Sequence, residues 1–283
     1  MGEPQRGSDT ARRDLEARTA KLFGEIHALI PSDTVALHRG LLSPDHLEVP
    51  ENFFAGIRCL DVGFGGTGHT LFSMVSQGAQ RAFGVDLSLE NARNALTQDG
   101  AVRDRISLAV ASLLALPFRD SSFDFVHCNG VLPCLRDPRP GFSELVRVLR
   151  AGGTLYVGVY GQGGFITWLS LAGRGAARVI PQGWMQRLLE RGLRLDAFLV
   201  SRVLDILYAP AQGRFTEPEV RRWFREAGFA APRRLRNPTW LYRNFLERLL
   251  HASAWQPDSG LGRLLHGEGW IIMAARRPAP KGP

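Results

Sequence analysis

The sequence predicts an α/β fold in which a seven-stranded, mostly parallel sheet carries helices on both faces. Two observations support this prediction. Short apolar runs alternate with segments of helical periodicity from Ile57 to Val159, and a glycine-rich turn joins the first apolar run to the first of these helices. Strands that alternate with helices are joined by right-handed crossovers, which produce a parallel sheet covered on both sides.

The predicted elements follow one another along the chain. Apolar residues at helical spacing predict an N-terminal helix over residues 10–30, which Pro31 ends. The apolar runs predict strands at residues 58–62, 82–86, 106–110, 123–128, 154–159, 229–235 and 269–275. Helical spacing or cap signals predict helices at residues 68–76, 89–99 and 138–149, and a capping box opens another helix at Thr216.

The alternation stops after Val159, which suggests a division of the chain into four parts. Residues 1–56 form a tail and a helical cap, residues 57–160 the ligand-binding core, residues 161–215 a helical lid inserted into the core, and residues 216–283 the rest of the core with a helical insert. Four aromatic residues of the lid segment either cover a substrate or pack as ordinary helix residues: Trp168, Trp184, Phe198 and Tyr208.

Composition excludes several classes of protein. With 45% apolar and 22% charged residues, the chain is globular and not intrinsically disordered. No apolar stretch reaches the ~18 residues that a membrane span requires, and no apolar segment of a signal peptide follows Met1. The thiols of Cys59, Cys128 and Cys134 lie in apolar runs, which indicates reduced cysteines and no metal site. We therefore expect a soluble, cytoplasmic protein.

Positive charge is concentrated in one part of the chain. Between Arg174 and Arg248 there are 15 arginines and seven acidic residues, a balance of +8 that equals the net charge of the whole chain. This excess indicates either a solvated helical surface or a field that attracts an anionic substrate, an acidic carrier protein or nucleic acid.

The glycine-rich turn is the most informative segment. Gly63, Gly65 and Gly68 follow a predicted strand with G-x-G-x-x-G spacing, which lets a ligand approach the backbone at a helix N-terminus. Asp86 ends the second strand, where a carboxylate can accept both hydroxyls of a ribose. Asp61 would repel a pyrophosphate and suits a cationic or zwitterionic ligand, which favours S-adenosylmethionine over a dinucleotide.

Four motifs in this order resemble those of the class I S-adenosylmethionine-dependent methyltransferases, in the small-molecule subgroup related to the ubiquinone and menaquinone enzymes. They lie at residues 60–68, 84–88, 116–124 and 145–155. The resemblance extends closely over residues 57–160 and loosely over residues 215–275. It implies a Rossmann-like fold and methyl transfer to a small organic acceptor at O, N or C, with S-adenosylhomocysteine as the product. Natural-product or cofactor biosynthesis would suit such an activity.

The resemblance and the strand ends together predict the cofactor contacts. These are Asp61, Gly63, Phe64, Gly65, Gly68, Asp86, Leu87, Ser112, Leu113 and Asn129. The chain departs from the family pattern at three places. Ser112 stands where relatives often carry an acid that adjoins the adenine, Phe64 replaces a residue that is often smaller, and Pro133-Cys134 occupies a position where a histidine is frequent.

Methyl transfer requires in-line positioning, exclusion of water and, for some acceptors, removal of a proton. The candidate bases are His38, His46, His69, His127 and Tyr160, each of which also has an ordinary structural explanation. His127 and Tyr160 are preferred because both follow strand ends at the edge of a parallel sheet where ligands bind.

Two other functions remain open at this stage. The arginine excess is compatible with an RNA or protein methyltransferase, but the sequence lacks a separate basic domain and an Asn-Pro-Pro-Tyr-type motif after the fourth strand. We therefore expect no nucleic-acid partner. The chain could also bind S-adenosylmethionine as a scaffold or cyclase without transferring the methyl group, because binding does not imply turnover.

Overall fold

A computed structural model describes residues 3–30, 42–97, 103–239, 248–249 and 251–279, and these form ten α-helices and seven strands. The helices are α1 (Glu3–His27), α2 (Pro44–Leu47), α3 (His69–Ser76), α4 (Leu89–Thr97), α5 (Pro138–Val148), α6 (Phe165–Ala177), α7 (Gln182–Arg187), α8 (Ala197–Tyr208), α9 (Glu217–Glu226) and α10 (Gly260–His266). The strands are β1 (Arg58–Val62), β2 (Arg81–Asp86), β3 (Ile106–Val110), β4 (Phe123–Asn129), β5 (Leu149–Tyr160), β6 (Arg233–Arg234) and β7 (Trp270–Arg276).

The seven strands form one sheet in the order β3-β2-β1-β4-β5-β7-β6. The first five strands are parallel, whereas β7 runs antiparallel to β5 and to β6. The order reverses between β1 and β4, and in such sheets ligands bind beyond the carboxyl ends of the strands at this reversal. The predicted fold class is confirmed.

Alternate residues of the central strands pack against helices on opposite faces of the sheet. On one face Leu155 and Val157 of β5 belong to a buried cluster with Phe142 of α5 and Trp223 of α9. On the other face Tyr156 belongs to a cluster that includes side chains of α3 and α4. This alternation follows from the two-residue period of a strand, and it fixes the direction of every side chain at the strand ends.

The lid segment leaves the sheet and returns to it at one point. Phe215 donates its N–H to the carbonyl of Tyr160 (2.9 Å), and Gln162 donates its N–H to the carbonyl of Phe215 (3.0 Å). Within the segment α6 packs on α8. The cap helix α1 also packs on α8, through a buried cluster in which Leu22 and Ile26 meet Val200 and Leu204. The cap and the lid therefore share one core.

Three sequence predictions differ from the observed elements. Helix α1 begins at Glu3 rather than Thr10, with Pro4 in the first turn, where a missing N–H costs little. The sixth strand contains only Arg233–Arg234, because Phe229 is buried by packing rather than by pairing and Pro232 has no N–H to donate. The short helix α10 is not predicted from the sequence, since Gly260 and Gly262 in its first turn obscure the helical periodicity.

Two further sequence predictions concern the helical insert around residues 240–250 and the three cysteines. The predicted helical insert lies outside the described residues except for residues 248–249. The three cysteines are free thiols, as predicted, with Cys59 and Cys128 buried and Cys134 half-buried. Among the described helices, none combines the length and the apolar character that crossing a membrane would need.

Candidate functional site

A cavity of about 660 Å³ lies beyond the carboxyl ends of β1, β2 and β4. Its volume falls within the ~300–1,000 Å³ of typical small-molecule sites. The glycine loop and the ends of the strands form one side, the cap helix α1 forms a second, and the lid segment closes a third. The predicted cofactor site at the glycine loop and the predicted lid over the acceptor therefore line the same cavity.

Almost all of the predicted site residues line this cavity. They are Asp61, Gly63, Phe64, Gly65, Asp86, Leu87, Ser112, Leu113, His127, Asn129 and Tyr160. Gly68 is the exception. It precedes α3 with a φ of 56°, and a Cβ there would lie 3.1 Å from the Cβ of Ala95 on α4. Gly68 therefore serves the turn and the helix packing, and its contact with a ligand stays a prediction.

Asp86 holds the glycine loop against the second strand. Its Oδ2 accepts the N–H of Gly65 (3.1 Å), and its Oδ1 accepts the N–H of Ser88 (2.8 Å) and the side-chain amide of Asn91 (3.2 Å). Burial raises the pKa of Asp86, and the donated N–H groups of Ser88 and Gly65 act against that rise. The following helix is capped by Ser88, whose hydroxyl accepts the N–H of Asn91, so Asp86 is available to the cavity.

Asp61 is buried between two side chains that the sequence did not connect. Its Oδ1 lies 2.7 Å from Nδ1 of His127, and its Oδ2 accepts the hydroxyl proton of Thr70. Parallel pairing sets Asp61 of β1 directly beside His127 of β4, and the imidazole packs on the ring of Tyr156 at 4.6 Å. A carboxylate has about four acceptor sites, so Asp61 retains capacity for a ligand.

The cap helix brings a carboxylate to Ser112. The hydroxyl of Ser112 donates to Oε1 of Glu16 at 2.6 Å, and both residues line the cavity. The same hydroxyl accepts the N–H of Leu114, which fixes the turn after β3. An acid from α1 thus lies beside position 112, where relatives often carry one.

His27, at the end of α1, covers the glycine loop. A Cβ on Gly65 would lie 3.4 Å from the His27 ring, and Nδ1 of His27 lies 3.2 Å from the side-chain nitrogen of Asn91. Burial, together with the positive charge of Arg202, lowers the pKa of His27 to about 4. The imidazole is therefore neutral at physiological pH.

Tyr160 is bound to an acidic residue of the lid. Its hydroxyl donates to Oδ2 of Asp205 (2.9 Å), its ring packs edge-on against Trp270, and the guanidinium of Arg214 lies 5.8 Å from the ring centre. Burial raises the pKa of Tyr160 well above its usual value, and the nearby Asp205 raises it further. The phenol is protonated at neutral pH, so this geometry makes Tyr160 a donor to Asp205 rather than a base.

Polar side chains from α8 and the following loop surround Asp205. We call Arg202, Asp205, Gln212 and Arg214 the lid polar cluster, and all four residues line the cavity. Arg214 donates to Oε1 of Gln212 (3.2 Å) and to the hydroxyl of Ser170 (3.3 Å). Burial raises the pKa of Asp205, while the positive charge of Arg202 acts against that rise.

Of the other lid residues that the sequence highlights, some are exposed, some form hydrogen bonds within the lid segment, and one lines the cavity. Arg174 donates to the carbonyls of Ile206 and Ala209 and so caps the end of α8. Trp168 and Trp184 are 69% and 68% exposed, so they form no aromatic cover over the cavity. Tyr208 donates to the carbonyl of Ile180, and of the four aromatic residues Phe198 alone lines the cavity.

The remaining histidine candidates lie in different places. His69 lines the cavity with its Nδ1 2.8 Å from the hydroxyl of Thr67. His46 is buried on α2, and burial together with the nearby His127 lowers its pKa to about 4. His38 lies outside the described residues.

Three residues that reach the cavity from distant elements are not among those predicted from the sequence: Glu16, His27 and Asp205. Asp205 did carry a signal, since it is an acid in an otherwise apolar stretch of α8. Glu16 and His27 carried none, because their places depend on how α1 crosses the sheet edge.

Comparisons with known proteins show what the core is similar to. Residues 60–157 match a family model described as a methyltransferase domain. The demethylmenaquinone methyltransferase of Clavibacter sepedonicus is 37% identical over 106 residues, which cover 36% of this chain and 41% of that protein. A "probable tocopherol O-methyltransferase, chloroplastic" of Oryza sativa subsp. japonica is 30% identical over 157 residues, which cover 53% of this chain and 36% of that protein. The chain thus spans less than half the length of these curated relatives.

A solved structure shares the fold. The S-adenosylmethionine-dependent methyltransferase from Mesorhizobium loti superposes with a TM-score of 0.51 at 18% identity, covering 87% of this chain and 98% of that one.

Proposed function

We propose that this chain, whose residues 60–157 match a family model described as a methyltransferase domain, transfers a methyl group from S-adenosylmethionine to a small organic acceptor at O, N or C. One observation carries the proposal. A single cavity is lined by the glycine loop and Asp86 and also by residues of the lid segment, so a cofactor and an acceptor can lie in contact. The relatives named above act on quinone and tocopherol acceptors, which supports a small organic acceptor.

The residues of the cavity fit S-adenosylmethionine. Asp86 would accept the ribose hydroxyls, and the glycine loop would lie against the chain that carries the sulfonium. Oδ1 of Asn129 is buried and has no hydrogen-bond partner among the described residues, so it offers an acceptor for the amino-acid end. Glu16 and Ser112 would meet the adenine.

The bound cofactor supplies a methyl group that is already activated as a sulfonium, so the protein needs mainly to position the acceptor and to exclude water. The packed contact of α1 with α8 would exclude water from above the cavity. Asp61 and Thr70 hold His127 and the start of α3 in fixed positions at the end of β1 and β4.

Two predictions from the sequence are kept as parts of this proposal. The first is the four-part organisation, which is supported by the paired ends of the lid segment at Tyr160 and Phe215. The second is His127 of the predicted catalytic pair, which is buried beside Asp61 and is proposed as the base. The sequence predicts Tyr160 as a base too, but its hydroxyl donates to Asp205, so we propose Tyr160 as a residue that positions Asp205.

Calorimetry with S-adenosylhomocysteine tests the proposal directly, with NAD as the competing ligand that a G-x-G-x-x-G loop could also hold. We expect S-adenosylhomocysteine to bind and NAD not to bind. Tight binding of NAD without binding of S-adenosylhomocysteine would overturn the assignment.

A further inference from the structure

The lid polar cluster contains four buried polar atoms that no described residue satisfies. They are Nε of Arg202, Oδ1 of Asp205, Nε2 of Gln212 and Nε of Arg214. Buried polar groups in folded proteins are almost always hydrogen-bonded, because an unpaired group loses its bonds to water without replacement. Arg202 and Asp205 lie three residues apart on α8, yet these two atoms do not satisfy each other. All four residues line the cavity, so a molecule in the cavity lies beside their side chains.

Asp205 is held in a fixed position for such a contact. The residue is only 5% exposed, and its second oxygen accepts the hydroxyl proton of Tyr160. Tyr160 is itself held in place by the indole ring of Trp270, which packs edge-on against it, and by the guanidinium of Arg214 over its ring. One carboxylate oxygen is therefore occupied by the protein, and the other remains as an acceptor.

The charges around the cluster are unbalanced. Three guanidinium groups, those of Arg174, Arg202 and Arg214, act electrostatically on the single carboxylate of Asp205. Arg174 donates its hydrogen bonds to two backbone carbonyls, which carry no net charge, so the positive charge of its guanidinium is not neutralised by them. All three arginines are half-buried, where an uncompensated positive charge is less well solvated than in water, and an anionic group in the cavity would offset that loss.

We propose that the lid polar cluster is the acceptor subsite and that it selects an acceptor carrying an anionic oxygen group, such as a carboxylate, together with a hydroxyl or amino group. The anionic oxygens bind the three donors of Arg202, Gln212 and Arg214. The hydroxyl or amino hydrogen binds Oδ1 of Asp205. This inference rests on the proposed function, because it assigns the second substrate of the same cavity.

The spacing of Arg202 and Asp205 on α8 suits an acceptor of moderate size. Residues three apart on a helix have Cβ atoms roughly 5–6 Å apart, so Arg202 and Asp205 can hold the two ends of a group the size of one aromatic ring. An acceptor with both groups should bind more tightly than one with either group alone.

Ligand binding to the protein saturated with S-adenosylhomocysteine tests this inference. The probes are 3-hydroxybenzoate, which carries both groups, benzoate, which lacks the hydroxyl, and phenol, which lacks the carboxylate. We expect 3-hydroxybenzoate to bind roughly tenfold more tightly than either of the others, as one charge-assisted hydrogen bond would provide.

Matched variants separate the cluster from general charge. Arg202→Gln should weaken 3-hydroxybenzoate binding by about tenfold or more and leave phenol binding nearly unchanged. Asp205→Asn should remove the preference for 3-hydroxybenzoate over benzoate. Arg191→Gln changes the charge equally at an exposed position of the lid segment and should alter none of these affinities. Affinity of each variant for S-adenosylhomocysteine shows whether it has folded.

The outcomes distinguish the two proposals. If the wild-type protein does not bind S-adenosylhomocysteine, the proposed function fails. If it binds S-adenosylhomocysteine but does not prefer 3-hydroxybenzoate to phenol, or if Arg202→Gln and Arg191→Gln behave alike, the acceptor subsite is overturned and the proposed function stands.

Discussion

The hydroxyl of Ser112 donates a 2.6 Å hydrogen bond to the carboxylate of Glu16, which lies 96 residues earlier in the chain. Ser112 belongs to the turn after β3, and Glu16 to the cap helix. The contact therefore joins the Rossmann-like core to an element outside it, at the edge of the cavity where the adenine is proposed to lie. Cofactor affinity should consequently depend on α1.

Replacing Glu16 tests that dependence. Glu16→Gln should weaken binding of S-adenosylhomocysteine roughly tenfold, because a charge-assisted hydrogen bond is replaced by a weaker neutral one. Glu25→Gln, on an exposed part of the same helix where Glu25 meets Gln182, is the matched control and should bind like the wild type. Calorimetry measures both. Equal affinities for the two variants would remove Glu16 from the site.

The carboxylate of Asp86 should contribute more than that of Glu16. Asp86→Asn is expected to weaken S-adenosylhomocysteine binding by roughly 1.5–3 kcal/mol, since it loses charge-assisted bonds to the ribose. The melting temperature should also fall, because Asp86 holds the N–H groups of Gly65 and Ser88. Asp104→Asn, at an exposed position outside the cavity, should change neither quantity. An unaltered affinity in Asp86→Asn would exclude the ribose contact.

Substitutions at two glycines with similar backbone geometry can distinguish the effect of backbone strain from the effect of ligand contact. Gly65 and Gly56 have φ values of 65° and 72°, so alanine at either position adopts an unfavourable left-handed conformation. A Cβ on Gly56 meets nothing within 4 Å, whereas a Cβ on Gly65 would lie against His27.

We expect Gly56→Ala and Gly65→Ala to lower the free energy of unfolding by about 1–2 kcal/mol each. Gly65→Ala alone should weaken S-adenosylhomocysteine binding, as calorimetry beside thermal unfolding would show. Matching losses of affinity in the two alanine variants would mean that the loop is only a structural turn.

Stability should fall as the pH is lowered from about 6.5 to 4. Burial lowers the pKa of His46 and of His266 to about 4, so both are neutral in the folded protein over this range. The unfolded chain, in which histidine has its usual pKa of ~6.5, takes up protons that the folded chain does not, and the balance shifts toward unfolding.

Melting temperatures between pH 7.5 and 4.5 would measure this loss. His266→Gln keeps a donor for the carbonyl that accepts from His266 but cannot titrate, so its melting temperature should depend less on pH than that of the wild type. Parallel curves for the two proteins would show that His266 is not responsible.

The features that sequence predicted well are those with local causes. The glycine loop and Asp86 were found because a strand, a turn and a helix follow one another within 30 residues. Glu16 and the partnership of Tyr160 with Asp205 were not found. Each depends on contacts between elements that are far apart in the chain, and helical periodicity indicates that a residue faces inward but not what it meets. The hydrogen bond between Asp61 and His127 is an intermediate case. It joins residues far apart in the chain, but it follows once β1 and β4 are known to be neighbours in the sheet.

The position of α1 across the glycine loop has a kinetic consequence. His27 and Glu16 both reach the cavity from this helix, and its apolar face is buried against α8. We predict that an exchanging cofactor leaves on the side of the cavity that α1 lines, so that each turnover would include the separation of α1 from the lid and its return. Helix displacements of this kind occur in microseconds to milliseconds, and product release often limits well-evolved enzymes. The steady-state rate of this protein should then decrease with solvent viscosity and respond to substitutions at Leu22 and Val200, which touch neither substrate.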